Sequence, residues 1–303
     1  MKKDKIVVIM GGVGNLMGCL AAGMLLGFDF PLIDTGVDTA AESAIAALIL
    51  VYMVAAWFNT RIPHTGVEMR PLRTDPSRNV LANTLALLPD FWACNNRLWR
   101  DKLGQISLST TTLFWGAGGN LKFIVLAWAA VALGYNTTQA SALTGVVAIG
   151  TAVGAVVASM RMRLDAATKV IPLGIAMGLL LILMVFINNI WLAIPFLILL
   201  GGLGGYLVVP MNALLQHRGH NLMGAGRSIA VQNFNEQACI LGLGAFYSLS
   251  LKLGLSVFGA ITAFGLVVAG TMWLIRRWHI SNCHRHREEV EHLLHIARQD
   301  HHH

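Results

Sequence analysis

The stretch LFWGAGGNLKFIVLAWAAVALG, Leu113–Gly134, is apolar over a length that crosses a bilayer as a helix, and it carries one lysine, Lys122, near its middle. About 20 apolar residues span the hydrocarbon core at 1.5 Å per residue. A charge at the bilayer centre costs about 2.5–3.5 kcal/mol on insertion scales. Lys122 therefore faces a partner or a wet cavity, or else it snorkels to the interface. Trp115 and Trp128 in the same stretch either meet a substrate or anchor the helix at an interface.

The rest of the chain is of the same kind. It is 55% hydrophobic and 12% charged, with a mean hydropathy of +0.63, against about a quarter charged residues in soluble domains. The fold class is all-α, a polytopic membrane protein with about eight transmembrane helices. These are read near Ile6–Phe28, Ala40–Asn59, Thr110–Leu133, Ala140–Met160, Val170–Ile187, Trp191–Asn212, Ser228–Leu251 and Leu255–Arg276.

The net charge of +7 does not indicate nucleic acid, because the basic residues sit between apolar runs. Of the 22 Lys and Arg, all but Lys252 and Lys122 fall on alternate connections or at the two ends. The positive-inside rule then places both termini in the cytoplasm. Asp29, Asp34, Asp38 and Glu42 in the first outer loop agree with this.

Cys19, Cys94, Cys239 and Cys283 show no CxxC spacing, so no disulfide or metal framework follows. Cys283, His284, His286, His292 and His295 lie in a basic tail whose default reading is a cytoplasmic segment rather than a metal site. Gly11, Gly12 and Gly14 lack the Lys-Ser/Thr of a phosphate loop. No HExxH, GxSxG or acid pair beside a nucleophile occurs, so the chain does not read as an enzyme and implies no cofactor.

Small residues at four-residue spacing, Gly150/Gly154, Gly174/Gly178 and the run Gly201–Gly205, predict close helix packing. Val80–Leu103 reads as an amphipathic segment broken near Pro89 and lying on the cytoplasmic leaflet.

The polar content of the membrane concentrates in SIAVQNFNEQACILG. Gln232, Asn235 and Glu236 share one helix face, with Asn233 and Gln237 on an adjacent one. Glu236 is the only acid deep in a span and Lys122 the only base. Counted from the cytoplasmic ends they lie roughly 12 Å and roughly 18 Å deep, close enough to pair if their helices are neighbours. Asn120 precedes Lys122 by two residues, and Asn212 follows Pro210, where a broken helix is expected to line a path. The candidate substrate-binding and translocation residues are therefore Asn120, Lys122, Asn212, Gln232, Asn233 and Glu236.

The phrases TTTLFWGAGGNLKFIVLAWAAVALG, GGYLVVPMNALLQHRG and GAGRSIAVQNFNEQA resemble the lysophospholipid transporter LplT family of the major facilitator superfamily. The resemblance is strong over Phe91–Trp278 and weaker over Ala40–Pro63. It implies two six-helix halves joined by a cytoplasmic linker. Residues 1–60 would then be two helices of the N-terminal bundle, 61–106 the linker, 107–278 the C-terminal six-helix bundle and 279–303 a cytoplasmic tail. The four helices expected before these are absent from the sequence. The resemblance further implies a bacterial inner-membrane flippase that moves lysophospholipids inward for reacylation by a cytoplasmic acyltransferase/acyl-carrier synthetase. Its partners would be the bilayer and the lipid. Lys122 falls where the family's basic residue is expected as arginine. The alternatives are a drug or solute exporter coupled to protons through Glu236, and a non-transporting interaction module or remnant.

Overall fold

The computed structural model describes residues 40–59, 61 and 85–299. The expected first span, the first outer loop and most of the proline-containing connection lie outside these residues. Among the described residues there are nine α-helices: α1 Ala40–Asn59, α2 Leu88–Arg100, α3 Gly104–Ala132, α4 Thr137–Arg161, α5 Ile171–Met184, α6 Ile190–Met223, α7 Ala225–Lys252, α8 Val257–Arg285 and α9 Arg287–Gln299. A 3-10 segment, Leu164–Val170, leads into α5.

Among the described residues, five stretches are long and apolar enough to span a membrane: α3, α4, the 3-10 segment with α5, α6 and α8. Helix α7 matches them in length, but its polar run from Gln232 to Gln237 keeps it from being recognised as a span by composition. The chain is a multi-pass membrane protein.

Local sequence sets the helix limits. Asn136 caps α4 in a capping box with Gln139, Asn189 caps α6 and Ser256 caps α8. Gly134, Gly224 and Gly254 take positive φ in the turns between helices. The hydroxyls of Ser107, Ser109, Thr110 and Thr111 turn back onto carbonyls of their own helix, so the polar start of α3 is buried with its hydrogen bonds made.

Helix α3, the helix of Lys122, packs on each of the other five helices of the bundle α3–α8. The α4–α6 interface is the most extensive, and small residues explain why. A Cβ placed on Gly150, Gly154, Gly201 or Gly205 would come within 3.0 Å of backbone on the facing helix. Gly178 does the same against Ala269 of α8, and a Cβ on Gly174 would meet the Met272 side chain.

The amphipathic segment differs from expectation. Pro89 does not break α2; it sits in its first turn, where a missing N–H costs nothing. Nor does the helix lie free on a surface. Cys94 and Leu98 are buried against Leu108, Leu215 and Val231 of the bundle, because a face with two buried apolar positions finds complementary side chains at the ends of α3, α6 and α7.

Candidate functional site

Gln232 organises the polar band. Its side-chain amide is fixed on α7 one turn from Glu236, and it donates to Glu236 Oε1 at 2.8 Å and across the helix interface to Asn212 Oδ1 at 2.7 Å. Gln232 and Glu236 are buried, and Asn212 is half-buried. Both N–H bonds of one amide are thereby used, and an intramembrane carboxyl is linked to α6. Helix α6 runs unbroken through Pro195 and Pro210, so Asn212 reaches the network from a continuous helix rather than from the expected break. Neighbouring helix turns hold the segment in place and offset the hydrogen bond each proline lacks.

Asn235 turns the other way. Its amide donates to Asn95 Oδ1 of α2 at 2.9 Å and to its own Val231 carbonyl. Asn233 and Gln237 are exposed.

The remaining candidates lie apart from this network. Asn120 is buried and donates to Gly116 O at 2.8 Å and to Ile240 O of α7 at 3.0 Å; it joins two helices rather than lining an opening. Lys122 is exposed, with its Nζ 5.0 Å from the Phe123 ring centroid and no ion pair among the described residues.

The expected Lys122–Glu236 pair does not form, and helix register is the reason. Helices α3 and α7 run parallel. Asn120 bonds Ile240 and abuts Gly244, while Gly116 abuts Cys239. Glu236 is therefore level with residues 112–116 of α3, roughly 9–15 Å along the axis from Lys122 at 1.5 Å per residue.

Trp128 is fully buried, and its Nε1 makes no hydrogen bond. It is therefore a core residue, and neither an interface anchor nor a stacking surface. Trp115 is 40% exposed on α3.

One pair has no counterpart among the sequence candidates. Arg218, near the end of α6, donates from Nε and Nη2 to the Asp101 carboxylate at 3.0 Å and 2.5 Å, and both side chains are buried. Asp101 also accepts from Gly104 N at 2.7 Å, capping the start of α3. In sequence, both residues look like solvated charges near helix ends; an acid inside the basic run WRDKLG is the signal that was available.

At the same end of the molecule, Asp165 bonds Arg298 of α9 and pairs with Arg163. His279 contacts Cys283 one turn on, near the end of α8.

The chain is 35% identical over 271 residues to the lysophospholipid transporter LplT of Escherichia coli O7:K1 (strain IAI39 / ExPEC), a match covering 87% of this chain and 63% of that protein. It is 36% identical over 243 residues to the transporter of the same name from Escherichia coli O6:K15:H31 (strain 536 / UPEC), covering 78% of this chain and 58% of that protein. The transporter of that name in strain K12 / DH10B is 34% identical over 271 residues. The chain thus spans about three fifths of the length of the curated relatives it matches. No family model and no solved structure matches it.

Proposed function

We propose that this chain belongs to the lysophospholipid transporter LplT family and carries lysophospholipids across a bacterial inner membrane. The observation that carries the proposal is Lys122: an exposed cation near the middle of the central apolar helix, with no acidic partner among the described residues. A lipid headgroup phosphate supplies the missing charge, and the apolar walls leave the single acyl chain in hydrocarbon. Asn233 on the exposed side of α7 and the Asn212–Gln232–Glu236 network add hydrogen-bonding groups along the same bundle, and Asn120 holds α3 and α7 in register.

In this reading helices α3–α8 are the C-terminal bundle, residues 61–106 link it to helices of the other half, and 279–303 form the tail. The basic ends and both termini face the cytoplasm, where an acyltransferase/acyl-carrier synthetase consumes the delivered lipid. Rocking of two bundles around the polar groups would alternate access.

The test is uptake of a fluorescent lysophosphatidylethanolamine into proteoliposomes containing this chain. Lys122→Ala is expected to lower the rate at least about tenfold, and Lys122→Arg to retain it. Transport unchanged in Lys122→Ala overturns the reading.

The burial of Glu236 with an amide as its hydrogen-bond partner supports a second reading, a proton-coupled solute exporter. Transport that follows the proton gradient and loses that dependence in Glu236→Gln would select it.

A further inference from the structure

We propose that the Asp101–Arg218 pair is a latch that keeps helix α2 docked on the bundle, and that its release uncovers Asn235 on α7. The latch does not depend on the transport reading above.

Asp101 stands at the elbow between α2 and α3. Its backbone N–H closes α2 on Arg97 O, and its carboxylate opens α3 at Gly104 N. The side chains of Asp101 and Arg218 are only 8% and 6% exposed. Two parallel hydrogen bonds thus join the elbow to the far end of α6 in a site shielded from water. The elbow is also held from α8, where Trp278 stacks on Trp99 with 6.3 Å between ring centroids.

Two further polar ties of α2 are of a different grade. Arg97 reaches Leu222 O at 3.1 Å in an exposed position, and Asp90 pairs with Arg227 at 3.1 Å with both side chains about half exposed. Such surface contacts contribute little. Removing one partner of a buried pair, in contrast, strands the other charge without solvent. Asp101–Arg218 is therefore the buried ion pair that holds the elbow of α2, beside the Asn95–Asn235 hydrogen bond and the apolar cluster of Cys94 and Leu98.

What that docking covers is the reason to call the pair a latch. Asn95 of α2 is buried and accepts from Asn235, the residue before Glu236. Phe91 and Trp92 lie over Phe234, with ring centroids 5.1 Å and 5.8 Å away. With α2 docked, this side of α7 is closed. With α2 displaced, Asn235 loses its partner and becomes accessible.

Cys94, on the buried face of α2, reports the state directly. A chain keeping only this cysteine, with Cys19, Cys239 and Cys283 changed to Ser, would be placed in lipid nanodiscs, where both faces are open to a hydrophilic maleimide. Asp101→Asn is expected to speed Cys94 labelling at least about tenfold and Arg218→Lys to speed it by a smaller factor, while Asp165→Asn, at another ion pair, leaves it unchanged. Labelling at the parent rate in both Asp101→Asn and Arg218→Lys overturns the latch.

Hydrogen exchange on Arg218→Lys serves as the second measurement if Asp101→Asn does not fold. Faster exchange confined to residues 88–100 supports the latch, whereas a uniform change through α3–α8, or none, overturns it. Neither readout needs a lipid substrate. Failure of Lys122→Ala to slow transport would remove the transport reading and leave the labelling result standing, and the reverse also holds.

Discussion

Replacing Gly154 by alanine probes the contact on which the bundle depends most. A Cβ at this position would lie 2.7 Å from the carbonyl carbon and 2.9 Å from the Cα of Gly202, with the carbonyl oxygen nearer still, where ordinary contact is 3.4–4 Å. Every one of these atoms is backbone, so no rotamer change relieves the clash. Helices α4 and α6 must part locally by roughly 1 Å, and gaps of about 0.5–1 Å forfeit about a quarter to a half of the dispersion energy of each contact they open. Gly150, Gly201 and Gly205 share the interface, so the parting spreads along it. The expected cost is about 2–3 kcal/mol, at the upper end for one added methyl in a packed site. Gly145 on the same helix is the control: a Cβ there meets nothing within 4 Å. Gly145→Ala is expected to be neutral or to stabilise by up to about 1 kcal/mol through helix propensity. Unfolding in mixed micelles, followed by circular dichroism against mole fraction of denaturing detergent, measures both. Equal midpoints for the two variants would refute the backbone-contact account.

Gln232→Leu leaves Glu236 Oε1 and Asn212 Oδ1 without their shared donor, and a loss of about 1–3 kcal/mol is expected in the same unfolding assay; stability within experimental error would show that water already substitutes there. Lys122→Ala and Glu236→Gln should have additive effects on transport, with coupling below about 0.5 kcal/mol in a double-mutant cycle, because the helix register keeps them apart.

Hydropathy made the apolar helices legible because each needs only its own residues to be recognised. Gly150, Gly154, Gly174, Gly178 and Gly201 were legible for the same reason, as spacing along one helix reports a close-packing face before its partner is known. The i,i+4 step from Gln232 to Glu236 was likewise readable, since both sit on one helix. What required two helices was not. The Asp101–Arg218 pair joins residues 117 apart, and each looks in isolation like a charge at a solvated helix end. The amphipathy of α2 was plain, but an apolar stripe does not distinguish a lipid surface from a protein one; the cluster of Cys94 and Leu98 with Leu108, Leu215 and Val231 decides it. Trp128 was misplaced because a tryptophan near a span end has the same local sequence whether it points to lipid or to the core.

The register of α3 against α7 has the largest consequence for mechanism. Asn120 bridges to Ile240, and Gly116 and Gly119 bring the α3 backbone against Cys239 and Ile240. Helices held by a buried side-chain bond and by near-backbone contact do not slide past one another without breaking both. Lys122 and Glu236 therefore move as one body, and a change of state alters what faces them without changing their separation. A substrate that meets Lys122 on the exposed side of α3 does not at that moment displace a proton or cation from Glu236. In the proposed transport cycle the lysine acts on the headgroup, while the glutamate is tied to α6 through Gln232 and Asn212. That assigns the two charges to separate steps rather than to an internal ion pair.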